Sequence, residues 1–466
     1  MQQEESFRDS IGTISDDGSR QYLFPKKVTG KWTTYRRYVG YLLVAILFVI
    51  PWLRINGLPI LQIDVIHRRF IIIGQIFWPQ DFYLVFLGML VAVISVALFT
   101  VAYGRLFCGW ICPQTIFMEH IFRRIEYWID GDRNQQLRLK QMGWTAEKIR
   151  KRIMKNGLFV MISFVISNTF LMYLIGTDEW VQIVTDGPKA HMSGFIGIWL
   201  FTGVFFFVFA WFREQVCIIV CPYGRLQGVL LDRNSLVIAY DRLRGEVRSR
   251  FKTSENRKSA GKGDCVDCGL CVQVCPTGID IRNGTQLECT SCTACIDACD
   301  SIMDRFGMDR GLIRYASESE IAENRKFKIT ARMKAYAVIL VALATLWFGL
   351  ILFRSPLEAT ILRAPGQLMQ TRGDSVITNL YTYKVLNKRN ETVEFDIQML
   401  EPSSATVEIV GQLNPKIDTK ELAKGSMFVL IPREDVSGPE SRITFGLYLN
   451  GELIDRITTQ FYGPKK

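Results

Sequence analysis

The chain has 466 residues, 49% of them hydrophobic, with 56 Lys and Arg, 45 Asp and Glu, and a formal net charge of +11. This length and apolar content exclude one small soluble domain and favour a membrane protein with several domains. Its twelve cysteines all fall between Cys108 and Cys299, which leaves none in the last 160 or so residues.

Five apolar segments approach the ~20 residues that a helix needs to cross a bilayer. They are Val39 to Pro51, Asp81 to Tyr103, Leu158 to Ile175, Gly194 to Trp211 and Ala335 to Phe353, and the first is the shortest. They predict an α-helical transmembrane bundle of about five spans. No basic stretch followed by an apolar one opens the chain, so we predict no cleavable signal peptide.

The basic residues are distributed unevenly between these spans. Seven Lys and Arg precede the first span, and 11 and 20 occupy the second and fourth loops, against 3 and 1 in the first and third loops. The positive-inside rule then predicts a multi-pass membrane protein with a cytoplasmic N-terminus and, after five crossings, a C-terminal domain on the outside. Because topology accounts for the basic excess, we predict no nucleic-acid binding.

The second and fourth spans are each followed by a Cys-x-x-x-Cys-Pro motif, "CGWICP" and "CIIVCP". On a helix, cysteines at i and i+4 share one face, and the proline disrupts the helix end. Four thiols brought together here would form a soft sulfur site suited to Cu(I), Zn or Fe. These predicted redox and metal residues are Cys108, Cys112, Cys217 and Cys221. The alternative is that the cysteines only pack between helices.

Arginine and histidine residues near the two Cys-Pro motifs are candidates to influence their chemistry. Arg105 and Arg213 precede them by three and four residues and are predicted to favour thiolates. Of only three histidines, His67 and His191 fall in predicted external loops, which leaves no pair for a haem inside the bundle. His120, with Met118, is a candidate to assist a copper site. The alternative is a surface histidine at the membrane edge.

The segment "CVDCGLCVQVCP" is repeated as "CTSCTACIDACD", with Asp300 in place of the second proline. In bacterial-type ferredoxins, three cysteines of such a run ligate one 4Fe-4S cluster and the fourth ligates the other. The predicted sets are therefore Cys265, Cys268, Cys271 and Cys299 for one cluster, and Cys289, Cys292, Cys295 and Cys275 for the other. Two structural zinc sites are the alternative, although these prefer Cys-x-x-Cys pairs separated by a longer loop.

After the fifth span the hydrophobic period changes to two, as in "TVEFDIQML", and an Asn450-Gly451 pair predicts a hairpin turn. This pattern indicates an immunoglobulin-like β-sandwich for docking, assembly or capping. The predicted parts are a cytoplasmic tail (1–37), four membrane helices with a basic cytoplasmic hairpin (38–212), a cytoplasmic two-cluster ferredoxin domain (213–334), the fifth membrane helix (335–354) and the periplasmic domain (355–466).

Together, the paired C-x-x-x-C-P ends, the double ferredoxin run and the C-terminal β domain resemble the cytochrome c oxidase accessory proteins of the FixG, RdxA and CcoG type. The resemblance covers nearly the whole chain. It implies a membrane cupric reductase that supplies Cu(I) for a cbb-type oxidase, with partners among copper transporters, copper chaperones and oxidase assembly factors. Under it, Cys108, Cys112, Cys217 and Cys221 hold copper or another redox metal such as iron.

Two other functions remain open at this stage. One is a quinol-linked electron conduit like the related NapH and NosR proteins, in which the clusters pass electrons to a cytoplasmic acceptor. The other is a non-catalytic metal-binding assembly factor. The electron donor is unknown from the sequence, and the oligomeric state is open, with a homodimer as one option.

Overall fold

The computed structural model describes residues 13–464 except 15–16, 18, 65–68, 254–255, 258, 324–327, 367–368, 374, 389–391, 412–415, 418–421 and 437. His67 lies outside the described residues. Two compact units divide the chain. Unit 1 comprises Met1–Leu53, Pro59–His67 and Phe86–Thr345, and unit 2 comprises Arg54–Leu58, Arg68–Val85 and Leu346–Lys466.

Within the described residues, five helices are long and apolar enough to cross a membrane. They are Lys31–Trp52, Phe82–Tyr103, Ala146–Ile175, Met192–Phe212 and Ala331–Leu352. The first begins at Lys31, inside the segment predicted as a tail, and the third begins twelve residues before its apolar segment. Both helices start earlier than predicted for the same reason. The prediction followed apolar residues only, and so it left out basic first turns that are nevertheless helical.

Shorter helices connect these spans. Pro113 and Pro222 each occupy the first turn of a new helix, where a missing backbone N–H costs nothing. The short helices are Leu106–Trp110, Pro113–Phe117, Met118–Phe122, Arg123–Ile129, Arg133–Gln141, Thr177–Asp186, Val216–Val220, Pro222–Leu230, Arg242–Gly245, Leu270–Gln273, Ala294–Arg305 and Glu318–Glu323, and the 3-10 turns include Pro79–Asp81, Ile281–Asn283 and Arg433–Asp435.

The helical part of unit 1 has an aromatic core. Phe122 stacks on Phe209 with ring centroids 4.5 Å apart, and Phe159 meets Phe122 edge-on at 4.8 Å. All three rings are buried. Phe159 lies in the third spanning helix and Phe209 at the end of the fourth, so this core fixes both helices against the segment that follows the first Cys-Pro motif.

The cysteine-rich part of unit 1 is framed by two short antiparallel strands, Val237–Tyr240 and Ile313–Ala316. Their apolar side chains pack with those of the helix Ala294–Arg305 around the ferredoxin cysteines. Between the first two spanning helices in the chain lie the strands Arg54–Ile55, Leu58–Pro59, Leu61–Asp64, Arg69–Ile72 and Gln75–Phe77.

Most of unit 2 consists of two antiparallel sheets. The strands are Leu357–Arg363, Gln370–Arg372, Val376–Asn387, Thr406–Val410 and Leu422–Pro432 in one sheet, and Val393–Glu401, Lys416–Ile417, Glu440–Leu449 and Glu452–Tyr462 in the other. Both sheets contribute to one apolar core, which makes the predicted sandwich. Asn450 and Gly451, with φ of 51° and 85°, form the turn between the last two strands.

Candidate redox site

The first predicted ligand set surrounds a single cavity. Cys265, Cys268, Cys271 and Cys299 all line it, and apart from Tyr240 and Arg282 the remaining wall is apolar or glycine. Cys265 and Cys271 are buried, whereas Cys268 is exposed. The structure thus brings Cys299 from the second run to the first three cysteines of the first run. An apolar shell of this kind keeps the local dielectric low around a metal centre.

The second set surrounds a neighbouring cavity. Its lining includes Cys275, Cys289, Cys292 and Cys295, and also Cys271 of the first set. Cys271 therefore touches both cavities, which places the two sites next to each other. Both sets offer four sulfur ligands and no carboxylate, and this donor set fits a 4Fe-4S cluster in each cavity.

The backbone conformation in the two cysteine runs repeats with the same spacing as the cysteines. Asp267 and Gly269 have φ of 51° and 63°, and Ser291 and Thr293, each 24 residues later, have φ of 53° and 65°. Left-handed residues are rare outside glycine and cluster where function needs a tight loop. Sequence reasoning missed these positions, although the 24-residue spacing between the cysteine runs was a signal for them.

Buried thiols in these sets resist ionisation. Burial raises the pKa of Cys271, Cys289 and Cys299 to about 12 each. Neighbouring sulfurs of the same set add to this effect, as Cys265 and Cys268 do for Cys299. Metal binding must therefore displace the thiol protons, as it does at other cysteine metal sites.

At the membrane edge, the chain bends within each Cys-Pro motif. Cys108 lies in the helix Leu106–Trp110, but Cys112 is extended, with φ −58° and ψ 124°. Cys221 is likewise extended, with φ −69° and ψ 108°. The second cysteine of each pair therefore leaves the helical conformation, because a proline pushes the residue before it out of the helical region.

The four membrane-edge thiols nevertheless approach one another. Cys217 interacts electrostatically with Cys112, Cys108 and Cys221, and Cys108 interacts with Cys112 and Cys221. Across the described part of the chain, no three His, Cys, Asp or Glu side chains are close enough to hold one metal ion. That holds for the ferredoxin cysteines too, whose sets line two cavities.

Gln227 is a site residue that the sequence did not reveal. It is fully buried, and its Oε1 lies 2.9 Å from Cys108 Sγ and accepts from Arg105 Nε at 3.4 Å. Its Nε2 donates to Thr100 Oγ1 at 3.3 Å. Gln227 therefore connects the first motif to the helix after the second motif and to the second spanning helix.

The two arginines predicted to favour thiolates behave differently. Burial raises the pKa of Cys108 to about 11, and Arg105 offsets only part of this rise. Arg213 instead donates two hydrogen bonds, at 2.7 and 2.8 Å, to the buried carboxylate of Glu126. It holds a strained backbone, with φ of 54°. For Arg213 the prediction was wrong, because an ion pair already neutralises its charge.

The segment 105–110 packs directly on the loop 287–291 of the second ligand set. A Cβ on Gly109 would lie 2.8 Å from Ser291 O and still closer to Thr290 O. Trp110 Nε1 donates to Tyr315 Oη at 3.3 Å, and Tyr315 Oη donates to Ser291 O at 3.3 Å. This contact joins the first membrane-edge motif to the backbone between Cys289 and Cys292.

The two histidines in the described part of the chain do not join this site. His120 is 7% exposed, so the surface interpretation was wrong. Its imidazole instead lines a separate basic cavity. Met118 is buried in the aromatic core. His191 is exposed and pairs with Asp186 at 3.1 Å.

Comparison with known proteins follows the same divisions of the chain. A model described as a 4Fe-4S dicluster domain matches residues 212–318, and a 4Fe-4S binding domain matches residues 84–134. An IG-like fold at the C-terminal of FixG matches residues 347–464. RdxA of Cereibacter sphaeroides is 34% identical and matches 81% of each chain. FixG of Rhizobium meliloti is 33% identical, over 84% of this chain and 82% of its own.

The chain belongs to the FixG/RdxA family. The predicted fold class is thereby confirmed, with membrane helices, iron-sulfur domains and a C-terminal immunoglobulin-like domain. It is a membrane iron-sulfur electron-transfer protein of the FixG/RdxA type.

More distant similarities are partial. NapH of Escherichia coli is 24% identical over 40% of this chain and 63% of its own. A crystal structure of a FixG-related protein from Vibrio parahaemolyticus aligns with 24% of this chain and 97% of its own, at 23% identity and a TM-score of 0.20.

Proposed function

We propose that the protein is a cupric reductase that supplies Cu(I) for assembly of a cbb-type cytochrome c oxidase. The packing of segment 105–110 on the loop 287–291 carries this proposal. Because Gly109 lies between Cys108 and Cys112, and Ser291 between Cys289 and Cys292, this packing supports an electron route from the proposed second cluster to the first thiol pair. Cu(II) is the substrate in this scheme, and each turnover adds one electron to it.

The ferredoxin cysteines are proposed to hold two 4Fe-4S clusters in crossed sets. Cys265, Cys268, Cys271 and Cys299 would ligate one, and Cys275, Cys289, Cys292 and Cys295 the other. The two cavities that these sets line support the assignment. When bound, such clusters supply one-electron transfer.

The membrane-edge cysteines are proposed to bind the copper. The thiols of Cys108, Cys112, Cys217 and Cys221 interact electrostatically with one another, which supports a shared site. Soft sulfur ligands stabilise Cu(I) over Cu(II), so binding itself favours reduction. Gln227 and Arg105 would orient Cys108 through the hydrogen bonds that they share.

We further propose that the ferredoxin part is cytoplasmic and the immunoglobulin-like domain periplasmic in a bacterial inner membrane. The alternation of basic and poorly charged loops supports this orientation. Copper transporters or chaperones and oxidase assembly factors would then receive Cu(I). A homodimer and the physiological electron donor are left to experiment.

The test is Cu(II) reduction by purified full-length protein, under anaerobic conditions and with chemically reduced clusters. The double variant Cys217→Ser, Cys221→Ser should lose turnover and retain its cluster iron. A Ser95→Ala variant, which changes a small side chain in the second spanning helix, is the matched control. Unchanged turnover in the double variant contradicts the copper site, and reduction that stops at one equivalent favours a non-catalytic assembly factor.

A quinol-linked conduit is the second candidate. An apolar cavity of about 410 Å³ lies beside the first motif, with Ile111 and Pro113 in its wall, and NapH is a distant relative. Among the described residues that line it, Tyr173 is the one with a polar side-chain group, and its hydroxyl donates to Leu47 O at 2.8 Å. A quinol would therefore find an apolar wall with little hydrogen-bonding capacity. Cluster reduction by added quinol would favour this function over copper reduction.

A further inference from the structure

A basic cavity of about 400 Å³ lies in unit 1 and is not used by the redox scheme. The start of the first spanning helix, the helical segment 118–129 and the loop that carries Cys292 form its walls. Its cationic lining residues are Lys26, Lys27, Arg36, Arg37 and Arg124. Glu119 is the one carboxylate in the described lining, and Arg123 already binds it. The cavity therefore carries a large positive excess.

Polar groups at this cavity lack partners. His120 is 7% exposed, and its Nε2 has no hydrogen-bond partner among the described residues. Arg36 is 5% exposed and donates from Nε to Gly109 O at 2.7 Å, but its Nη2 is unpartnered within the same residues. A buried polar group that is left unsatisfied destabilises the folded protein. A ligand with several acceptor oxygens would satisfy these groups.

The cations converge on the histidine. Burial, followed by the charges of Arg36, Arg124 and Arg37, lowers the pKa of His120 to about 3. The imidazole is therefore neutral at physiological pH and available as a hydrogen-bond donor beside three guanidinium groups. Gly40 makes room for it, since a Cβ there would lie 2.6 Å from His120 Cδ2.

We infer that this cavity binds a phosphate group, carried either by an anionic phospholipid or by a soluble phosphate compound. Guanidinium groups match phosphate oxygens in geometry and charge. Basic pockets next to spanning helices are known to bind lipid headgroups. The inference does not depend on copper reduction, because no membrane-edge cysteine lines the cavity.

The site also lies beside the second ligand set. Cys292 and Arg36 both line the cavity, so a buried positive charge lies close to this ligand set. A phosphate in the cavity would offset that positive charge. Occupancy is therefore expected to make the adjacent cluster harder to reduce.

Binding is measured by calorimetry on delipidated, cluster-loaded full-length protein in detergent, at constant ionic strength. The probes are inorganic phosphate, short-chain phosphatidylglycerol and the matching uncharged diacylglycerol. We expect saturable binding of a phosphate-bearing probe. Saturation by phosphatidylglycerol alone identifies a lipid headgroup, and saturation by inorganic phosphate identifies a soluble compound. Absence of saturable binding by both, or equal binding of the diacylglycerol, overturns the inference.

Two variant pairs make the test specific. Arg37→Gln with Arg124→Gln should weaken binding at least tenfold, whereas Arg138→Gln with Arg150→Gln removes two exposed charges and should change it less than twofold. Gly40→Ala should displace His120 and weaken binding, whereas Gly157→Ala, where a Cβ meets open space, should not. Iron content reports correct folding of each variant. Equal weakening in the two members of either pair contradicts a built site.

Discussion

Gly109 lies against the backbone of Ser291 so closely that a Cβ on the glycine would come within 2.8 Å of the Ser291 carbonyl oxygen. Gly109 belongs to the first membrane-edge motif, and Ser291 lies between two cysteines of the second ligand set. The absence of a side chain at Gly109 thus permits the contact on which the proposed electron route depends.

Replacing Gly109 tests this contact. Gly109→Ala should push segment 105–110 away from the loop 287–291 and lower Cu(II)-reduction turnover severalfold, because overpacking in such a tight contact costs about 1–3 kcal/mol. Cluster iron should be unchanged. Gly203→Ala, where a Cβ meets open space, is the control. Equal turnover in the two variants would show that electrons take another path.

Crossed ligation predicts that replacing the fourth cysteine of one run impairs the cluster held by the other run. Cys275→Ser should impair the same cluster as Cys289→Ser, and Cys299→Ser should impair the same cluster as Cys265→Ser. Electron paramagnetic resonance of the reduced variants distinguishes the two clusters. If Cys275→Ser instead matches Cys265→Ser, each run ligates its own cluster and the assignment is wrong.

The buried ion pair of Glu126 and Arg213 is expected to control stability near the second motif. Glu126→Gln removes one carboxylate partner of Arg213 and Lys155, which keep Glu214 and Asp130, and the loss of its charged hydrogen bonds should cost about 1.5–3 kcal/mol. Thermal unfolding of the detergent-solubilised protein measures this loss. Glu147→Gln breaks an exposed, solvent-screened pair with Lys151 and should leave the melting temperature nearly unchanged. Similar melting temperatures would contradict the role of the buried pair.

Gln227 is predicted to position Cys108. Gln227→Leu removes the hydrogen bonds to Cys108, Arg105 and Thr100 and should lower the free energy of unfolding by about 1–3 kcal/mol. Turnover with Cu(II) should fall as well, while cluster spectra stay unchanged. Gln227→Glu should restore part of the turnover, since it keeps an acceptor for Arg105. Gln182→Leu, at an exposed helical site, is the control.

Sequence reasoning recovered the elements whose signal is local. The five spans, the alternating strands and the Asn450-Gly451 turn each follow from hydrophobic period or turn chemistry over a few residues. The crossed cysteine sets were also predictable, because the spacing within each run restricts which sulfurs can reach one cavity. Helix starts were less accurate, since basic first turns such as that at Lys31 carry no apolar signal.

What the sequence alone determined is the kind of chemistry: sulfur ligands, membrane helices and a separate β domain, all encoded by residues close in the chain. Only the tertiary structure decided which distant groups meet. Gln227 contacts Cys108, 119 positions away in the chain, and Arg213 pairs with Glu126 rather than with a thiol. The side chain of His120 lines a basic cavity. These contacts depend on how the helices pack. Packing brings together residues that are far apart in the chain, and such contacts produce no periodic pattern in the sequence.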